Sequence, residues 1–284
     1  MTSRLRLPQV TICSADSAYV DLTARALMRS MEMCEFGDAI LFSDTPKTGP
    51  FRHITIPRLE SIADYSAFCL KGMADHIHTS HVLLVQWDGF VVNPGAWTRA
   101  FLKEDYIGAV WRGVFEDSYR VGNGGFSLRS KKLLDTLKQF PSVPRLWEDQ
   151  VICRLHRPRL EDDFGIRYAT ERVADRFSYE LDYRDAFGFH GFANMWRYLD
   201  DDEMMDVART VWRATFAHWK SVRLIVAASQ NGRETLAGRL YRLLRDTNTY
   251  PAILQELRRN ASFVVLPKTM ETLDRLERSL DPAV

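Results

Sequence analysis

The sequence predicts an α/β protein, a sheet flanked by helices with an appended C-terminal helical region, on three observations. Short β-rich runs alternate with longer segments of helical period through the first part of the chain. One run, His81-Val-Leu-Leu-Val-Gln86, is almost continuously apolar, as a strand buried on both faces must be. From about Asp200 the strand runs nearly vanish and amphipathic helical patterns replace them. A length of 284 residues is close to two domains at roughly 150 residues each. The expected division is therefore 1–200 for the α/β part and 201–284 for the helical part.

Taken in order, Val10 to Cys13 read as the first strand. A helix follows from about Ser17, where the serine can cap and Val20, Leu22, Ala26, Leu27 and Met31 form an apolar stripe. Asp38 to Asp44 give a second strand, ended by Thr45-Pro46 and Gly49-Pro50, and His53 to Pro57 a third. Ser61 to His78 form a helix with Ser61 at its N-cap. It leads into the apolar strand, which stops abruptly at Trp87-Asp88-Gly89-Phe90. Glycines around Asn123 precede another short strand and a helix from about Ser130, and Trp147 to Gln150 open a further helical segment. In the tail, Met205 to Trp219, Arg233 to Arg245 and Thr269 to Leu280 read as helices, Phe263 to Leu266 as extended, and Trp212, Phe216, Trp219 and Leu224 as packing residues.

Composition narrows the function. Thirty-eight Lys plus Arg balance 37 Asp plus Glu, so no global field draws the chain to nucleic acid or anionic lipid. Cys13, Cys34, Cys69 and Cys153 show neither CxxC nor zinc spacing and read as reduced thiols. No run approaches the ~20 apolar residues of a transmembrane segment, and the N-terminal stretch lacks a secretion signal's apolar middle. The expected location is the cytoplasm.

Ligands in open α/β sheets gather at the carboxyl ends of strands, which brings Asp88 forward: a carboxylate at the exit of the buried strand, with Gly89 beside it. A turn aspartate satisfying nearby backbone donors explains the same position equally well. Val121-Gly-Asn-Gly-Gly-Phe-Ser-Leu-Arg-Ser130 bares its backbone around Asn123, Gly124 and Gly125, permitting close approach of a ligand or simply a tight turn. Glu148 and Asp149 occupy a helix start that the helix dipole already favours for acids, and one of them is also placed to accept a proton from a hydroxyl nucleophile. His190, in Phe187-Gly-Phe-His-Gly-Phe192, is either a packed histidine or an imidazole able to join a carboxylate on Mn²⁺ or a similar ion. His76 and His78 read as surface residues. Trp87, Trp111, Trp147 and Trp196 suit a sugar ring, a base or the core.

Together, Val85-Gln-Trp-Asp-Gly-Phe90, Gly122-Asn-Gly-Gly-Phe-Ser-Leu-Arg129, Trp147-Glu-Asp-Gln150 and Phe187-Gly-Phe-His-Gly191 resemble an uncharacterised bacterial and fungal family of GT-A-like glycosyltransferases, over about residues 8 to 200. The resemblance implies a GT-A-like nucleotide-diphospho-sugar transferase sheet and a nucleotide-sugar donor, a UDP-sugar first. It also implies a divalent cation, Mn²⁺ or Mg²⁺, and a glycan or lipid-linked acceptor in bacterial surface polysaccharide synthesis. Asp88 then looks like the surviving acid of an Asp-x-Asp metal motif, with Gln86 in place of the first acid, and His190 like the C-terminal metal ligand. Gly124 and Gly125 would shape the sugar pocket beside Asn123, and Asp16 and Tyr19 would lie near the nucleotide. Asp149 would be the base of an inverting transfer, and Glu148 would bind donor or acceptor hydroxyls. The reading requires Asp88 and His190 to meet around a cation-sized gap with a second acid facing them.

Two other functions fit less of the chain. A non-catalytic nucleotide-sugar or glycan binding protein on a degenerate GT-A scaffold is motivated by Gln86. A nucleotidyltransferase normally carries a Gly-rich basic loop after its first strand, and Cys13-Ser-Ala-Asp-Ser-Ala-Tyr19 has neither glycine nor cation.

Overall fold

The computed structural model describes residues 4–113, 115, 117–141, 143–211, 216–259 and 266–280. The chain divides into two compact units, Met1–Gly191 and Phe192–Val284. The first is α/β and the second is built of helices.

Six strands form the central sheet of the first unit: β1 (Leu5–Ala15), β2 (Cys34–Ser43), β3 (Arg52–Thr55), β4 (His81–Val85), β5 (Tyr106–Ile107) and β6 (Phe126–Ser130). Their order is β3-β2-β1-β4-β6-β5. Strands β1 to β4 are parallel, and β6 runs antiparallel to both β4 and β5. From β1 the chain first builds outward through β2 and β3, then returns to place β4 on the other side of β1. That reversal makes the carboxyl ends of β1 and β4 a topological switch point, where such sheets open a crevice for ligands.

The apolar run of β4 is explained by burial on both sides. Leu83 and Val85 join Ile12, Leu41, Phe126 and Leu128 in one core cluster, and Val82 and Leu84 join Cys13, Ile40, Phe42 and Met73 in another. Each such side chain contributes about 1.5–3 kcal/mol on full burial, so β4 is a rigid base for the residues at its end. Strands β1 and β2 begin earlier than their apolar cores predict. Their register shifts between Leu7 and Thr11, around Pro8, which has no N–H to continue a ladder.

Six helices and one small parallel pair complete the unit: α1 (Val20–Met33), α2 (Ile62–Ala67), α3 (Lys131–Leu137), α4 (Glu148–Gln150), α5 (Arg157–Asp162), α6 (Glu171–Phe177), and β7 (Ser178–Tyr179) beside β8 (Gly188–Phe189). Ser17 does not cap α1. Asp16 does the work of a cap: its Oδ1 accepts the Ala18 and Tyr19 N–H groups, both at 2.6 Å, and its Oδ2 accepts the Thr23 hydroxyl at 2.9 Å. Ser17 instead accepts the Leu59 N–H at 3.0 Å. Ser61 does cap α2, accepting from the Asp64 N–H at 3.2 Å. The expected single helix to His78 is replaced after Ala67 by a π-turn at Phe68–Gly72 and a 3₁₀ turn at Met73–His76.

In the second unit a 3₁₀ turn at Phe192–Arg197 is followed by α7 (Asp201–Thr210), α8 (Trp219–Gln230), α9 (Glu234–Arg245), α10 (Tyr250–Arg259) and α11 (Leu266–Leu280). A capping box starts α7, with Asp200 accepting the Glu203 N–H at 2.8 Å and Glu203 accepting the Asp200 N–H at 3.2 Å. The helix expected over Met205 to Trp219 is two helices. Residues 212–215, Trp212 among them, lie outside the described residues. So do 263–265 of the run expected to be extended, while Leu266 opens α11. Phe216, Trp219 and Leu224 are buried. Among the described residues no helix is long and apolar enough to cross a membrane.

Candidate functional site

A cavity of about 320 Å³ lies at the switch point, between the loop after β1 (Ala15 to Tyr19), the start of α2, and Gln86 and Trp87 after β4. Its walls are aromatic. Tyr19 meets Trp87 edge-on with ring centroids 5.5 Å apart, and Tyr65 meets Trp147 at 6.4 Å. Trp147 remains 44% exposed, an unusual state for so large an apolar surface. Asp16 lines this cavity, but both its carboxylate oxygens are already accepting bonds that start α1. Its place is structural as much as ligand-facing.

At the exit of β4 the chain turns tightly, Gly89 N–H donating to the Gln86 carbonyl at 3.1 Å. This directs Asp88, which is only 8% exposed, toward the segment after β8. His190 arrives there because its N–H donates to the Tyr179 carbonyl at 2.9 Å. Its Nε2 stands 3.3 Å from Asp88 Oδ1 and 3.1 Å from Gln86 Oε1. Asp88 and His190, 102 positions apart in the sequence by subtraction, therefore meet, in direct contact rather than across an open gap. Gln86 is held from its other end by donating to the Tyr65 hydroxyl at 2.8 Å.

Among the described residues no group of three or more His, Cys, Asp and Glu is arranged to hold a metal. The amide oxygen of Gln86 changes that count, because glutamine carbonyls also ligate hard cations. Ligands at ~2.1 Å on neighbouring octahedral positions stand about 3 Å apart, close to the separation of His190 Nε2 from each of the two oxygens. A carboxylate, an amide oxygen and an imidazole are donors that would suit a divalent cation.

Gly124 and Gly125 stand between this group and the acidic pair. A Cβ on Gly125 would lie 2.1 Å from His190 Nε2 and 2.7 Å from Gln86 Oε1, and one on Gly124 would lie 2.0 Å from Glu148 Oε1. The space beside both glycines is thus taken by the protein's own polar side chains. Asn123 precedes them in the left-handed region at φ 61°, a conformation asparagine tolerates better than most residues. It is buried, and its amide donates to Glu180 at 2.7 Å.

The two adjacent acids at the start of α4 differ sharply. Glu148 is 2% exposed and accepts from Arg129, itself sealed from solvent, at 2.7 Å. Asp149 is half-buried. Its Oδ2 accepts the Gly124 N–H at 2.8 Å and its Oδ1 the Gln150 N–H at 2.7 Å. Desolvation first, and the neighbouring Glu148 charge second, push its carboxyl up to about 7. A carboxylate so poised can take a proton near neutral pH.

Sequence reasoning did not single out Tyr65, Arg129 or Glu180. Tyr65 lies in the helix expected from Ser61 to His78, and Arg129 in the short strand expected after the glycines. Trp87 and Trp147 line the cavity, whereas Trp111 covers Gly122. His78 is exposed, and His76 packs its ring 5.4 Å from Phe42.

No curated protein matches the chain. A glycosyltransferase involved in glycosylation of the major capsid of PBCV-1 is similar in structure at 14% identity, with 71% of this chain and 99% of that chain covered and a TM-score of 0.43. The galactosyltransferase LgtC, solved in complex with donor and acceptor sugar analogs, is similar at 12% identity, covering 71% and 95%, with a TM-score of 0.40. The family model described as a protein of unknown function (DUF5672) matches residues 50–193. That span is half of the chain and holds Gln86, Asp88, Gly124, Gly125, Glu148, Asp149 and His190, so this chain belongs to the DUF5672 family.

Proposed function

We propose that the protein is an inverting glycosyltransferase that uses a nucleotide-diphosphate sugar, a UDP-sugar first, and a divalent cation. One observation carries this reading: at a single switch point stand three cation-competent atoms, an aromatic cavity and a second carboxylate of raised proton affinity. The reading places the reaction in residues 1–200 and gives the helical remainder, 201–284, no catalytic residue. Its acceptor is a glycan or lipid-linked hydroxyl in surface polysaccharide synthesis, and its buried free thiols suit the cytoplasm.

Charge explains the need for a cation. The described residues lining the cavity include Asp16 and Glu60 but neither lysine nor arginine, so a diphosphate bound there must bring its own positive charge. Asp88, His190 and the Gln86 amide oxygen would hold Mn²⁺ or Mg²⁺. When bound, that ion supplies charge stabilisation for the diphosphate leaving group without a proton donor.

The chain's own residues do the rest. Tyr19, Trp87, Tyr65 and Trp147 offer ring faces and edges to a base or sugar and exclude water from them. Gln86, held through its amide nitrogen by the Tyr65 hydroxyl, keeps its carbonyl oxygen turned toward His190 Nε2. Asp149 accepts the proton of the acceptor hydroxyl as its oxygen bonds to the anomeric carbon. The bond from that carbon to the diphosphate oxygen breaks on the opposite face, its electron pair leaving with the diphosphate, so configuration inverts. A buried carboxyl of raised proton affinity suits a general base.

The test is turnover of a panel of nucleotide sugars by the full chain with Mn²⁺ or Mg²⁺, with product anomers read by NMR. Transfer or donor hydrolysis with inversion supports the proposal. Thermal stabilisation by a nucleotide sugar with no turnover of any donor would instead establish the binding reading.

A further inference from the structure

Arg129 is a charge where the fold has no need of one. On β6, Phe126 and Leu128 face one core cluster, while Ser127 and Arg129 lie on the other face, paired across the ladder with Leu84 and Val82. Arg129 has no exposed surface. Removing a guanidinium from water costs several kcal/mol, so it persists there only because it is compensated. Its Nη2 donates to Glu148 Oε1 at 2.7 Å, its Nε to Ser127 Oγ at 3.0 Å, and its Cζ lies 5.6 Å from the Tyr106 ring centroid.

These contacts lead to the proposed base by two routes. Glu148 is covalently next to Asp149, and pairing it with Arg129 pins the short helix start, only three residues long, to β6. The second route runs through Gly124. Ser127 Oγ, which accepts from Arg129, donates to the Gly124 carbonyl at 2.9 Å, and the Gly124 N–H donates to Asp149 Oδ2 at 2.8 Å. The pair also presses on that backbone so closely that a Cβ on Gly124 would lie 3.0 Å from Arg129 Nη2 as well as striking Glu148.

Stability alone does not account for the arrangement, because a buried ion pair can often be replaced by apolar residues of similar volume at no loss. We propose that Arg129 and Glu148 form a positioning pair, holding the start of α4 against β6 and fixing the orientation of the Asp149 carboxylate. This rests on the reading of Asp149 as the base. In this role Arg129 and Glu148 act through Asp149, both being buried. The charged and titratable groups facing Asp149 are Glu148 from its own helix, Arg129 from β6, Tyr106 from β5 and Cys153 one turn on. Burial holds the Tyr106 hydroxyl and the Cys153 thiol neutral, so among these groups the pair supplies the charge beside Asp149.

The experiment compares the full chain with R129M, with E148Q, and with the double variant R129M/E148L. It reads three quantities: thermal midpoint, kcat and KM for donor turnover, and the titration of the Asp149 carboxyl by ¹³C NMR, assigned by its loss in D149N. R129M alone strands a buried carboxylate and should lower the thermal midpoint. R129M/E148L should fold with a midpoint near wild type, yet lose roughly 10²-fold in kcat, as a misplaced group does, while KM for the donor holds. In E148Q the Asp149 titration should move down by about one unit as the like charge disappears. A folded double variant with wild-type kcat, together with an unmoved Asp149 titration in E148Q, would overturn the proposal. If the wild-type chain turns over no donor but the Asp149 titration still moves in E148Q, the pair stands and the reading of Asp149 as a base fails.

Discussion

The backbone of Gly124 and Gly125 separates two polar groups that are built in opposite ways. On the Gly125 side one carboxylate, Asp88, stands with Gln86 and His190, whose imidazole Nε2 lies within 3.3 Å of Asp88 Oδ1 and 3.1 Å of Gln86 Oε1. On the Gly124 side two carboxylates share one buried cation, and every oxygen of Asp149 already accepts a backbone N–H. The first group gathers a carboxylate, an amide oxygen and an imidazole, donor types that divalent cations also take. The second is compensated internally, which leaves a raised proton affinity on one member. Glycine is required on both sides for the same reason, since any Cβ would drive the polar side chains off the backbone they contact.

The largest effect that sharpens this contrast is expected in Asp149→Asn. Its kcat should fall about 10²–10⁴-fold, the range for general acid–base groups, while nucleotide binding persists. As a base Asp149 acts in its deprotonated form, and burial and Glu148 raise its proton affinity in the wild type. Rate should therefore fall as pH drops through about 7, and stopped assays at each pH check the sign. Next in size, Asp88→Asn and His190→Ala should weaken Mn²⁺-dependent nucleotide binding by at least the ~10–100-fold seen when metal-site partners are removed, measured by calorimetry. A change in kcat with unchanged binding would erase the distinction between the two sides.

The glycines test it from within. Gly125→Ala and Gly124→Ala should each destabilise by about 1–3 kcal/mol through overpacking, measured by chemical denaturation. Gly125→Ala should weaken the Mn²⁺ response, whereas Gly124→Ala should displace Glu148 and shift the pH profile. The smallest effect belongs to Asp16→Ala, which removes the start of α1 at about 1 kcal/mol and lowers the thermal midpoint by roughly 2–4 °C.

What was legible in the sequence followed from local chemistry. The apolar run of β4 announced a strand buried on both faces, and the abrupt change at Trp87-Asp88-Gly89 marked its carboxyl end. Glycines beside Asn123 and His190 marked close backbone approaches, though what approaches Gly124 and Gly125 is Glu148 and His190 rather than open pocket space. The rest depended on contacts across the fold. Arg129 alternates with Leu128 as a surface residue would, and only the sheet's second covering layer buries it against an acid 19 positions away. Tyr65 fits a helical stripe, so nothing in its spacing predicts that its hydroxyl holds Gln86. Pro8 and Asp16 misled at shorter range, the first by interrupting β1 and the second by taking over the capping assigned to Ser17.

The most direct test is calorimetric titration of uridine diphosphate into the full chain, with and without Mn²⁺, for the wild type and Asp88→Asn. Binding that requires Mn²⁺ in the wild type and disappears in Asp88→Asn is the expected result. Binding of equal strength without the ion, or untouched by the substitution, would contradict the assignment of Asp88, Gln86 and His190 as the seat of the cation.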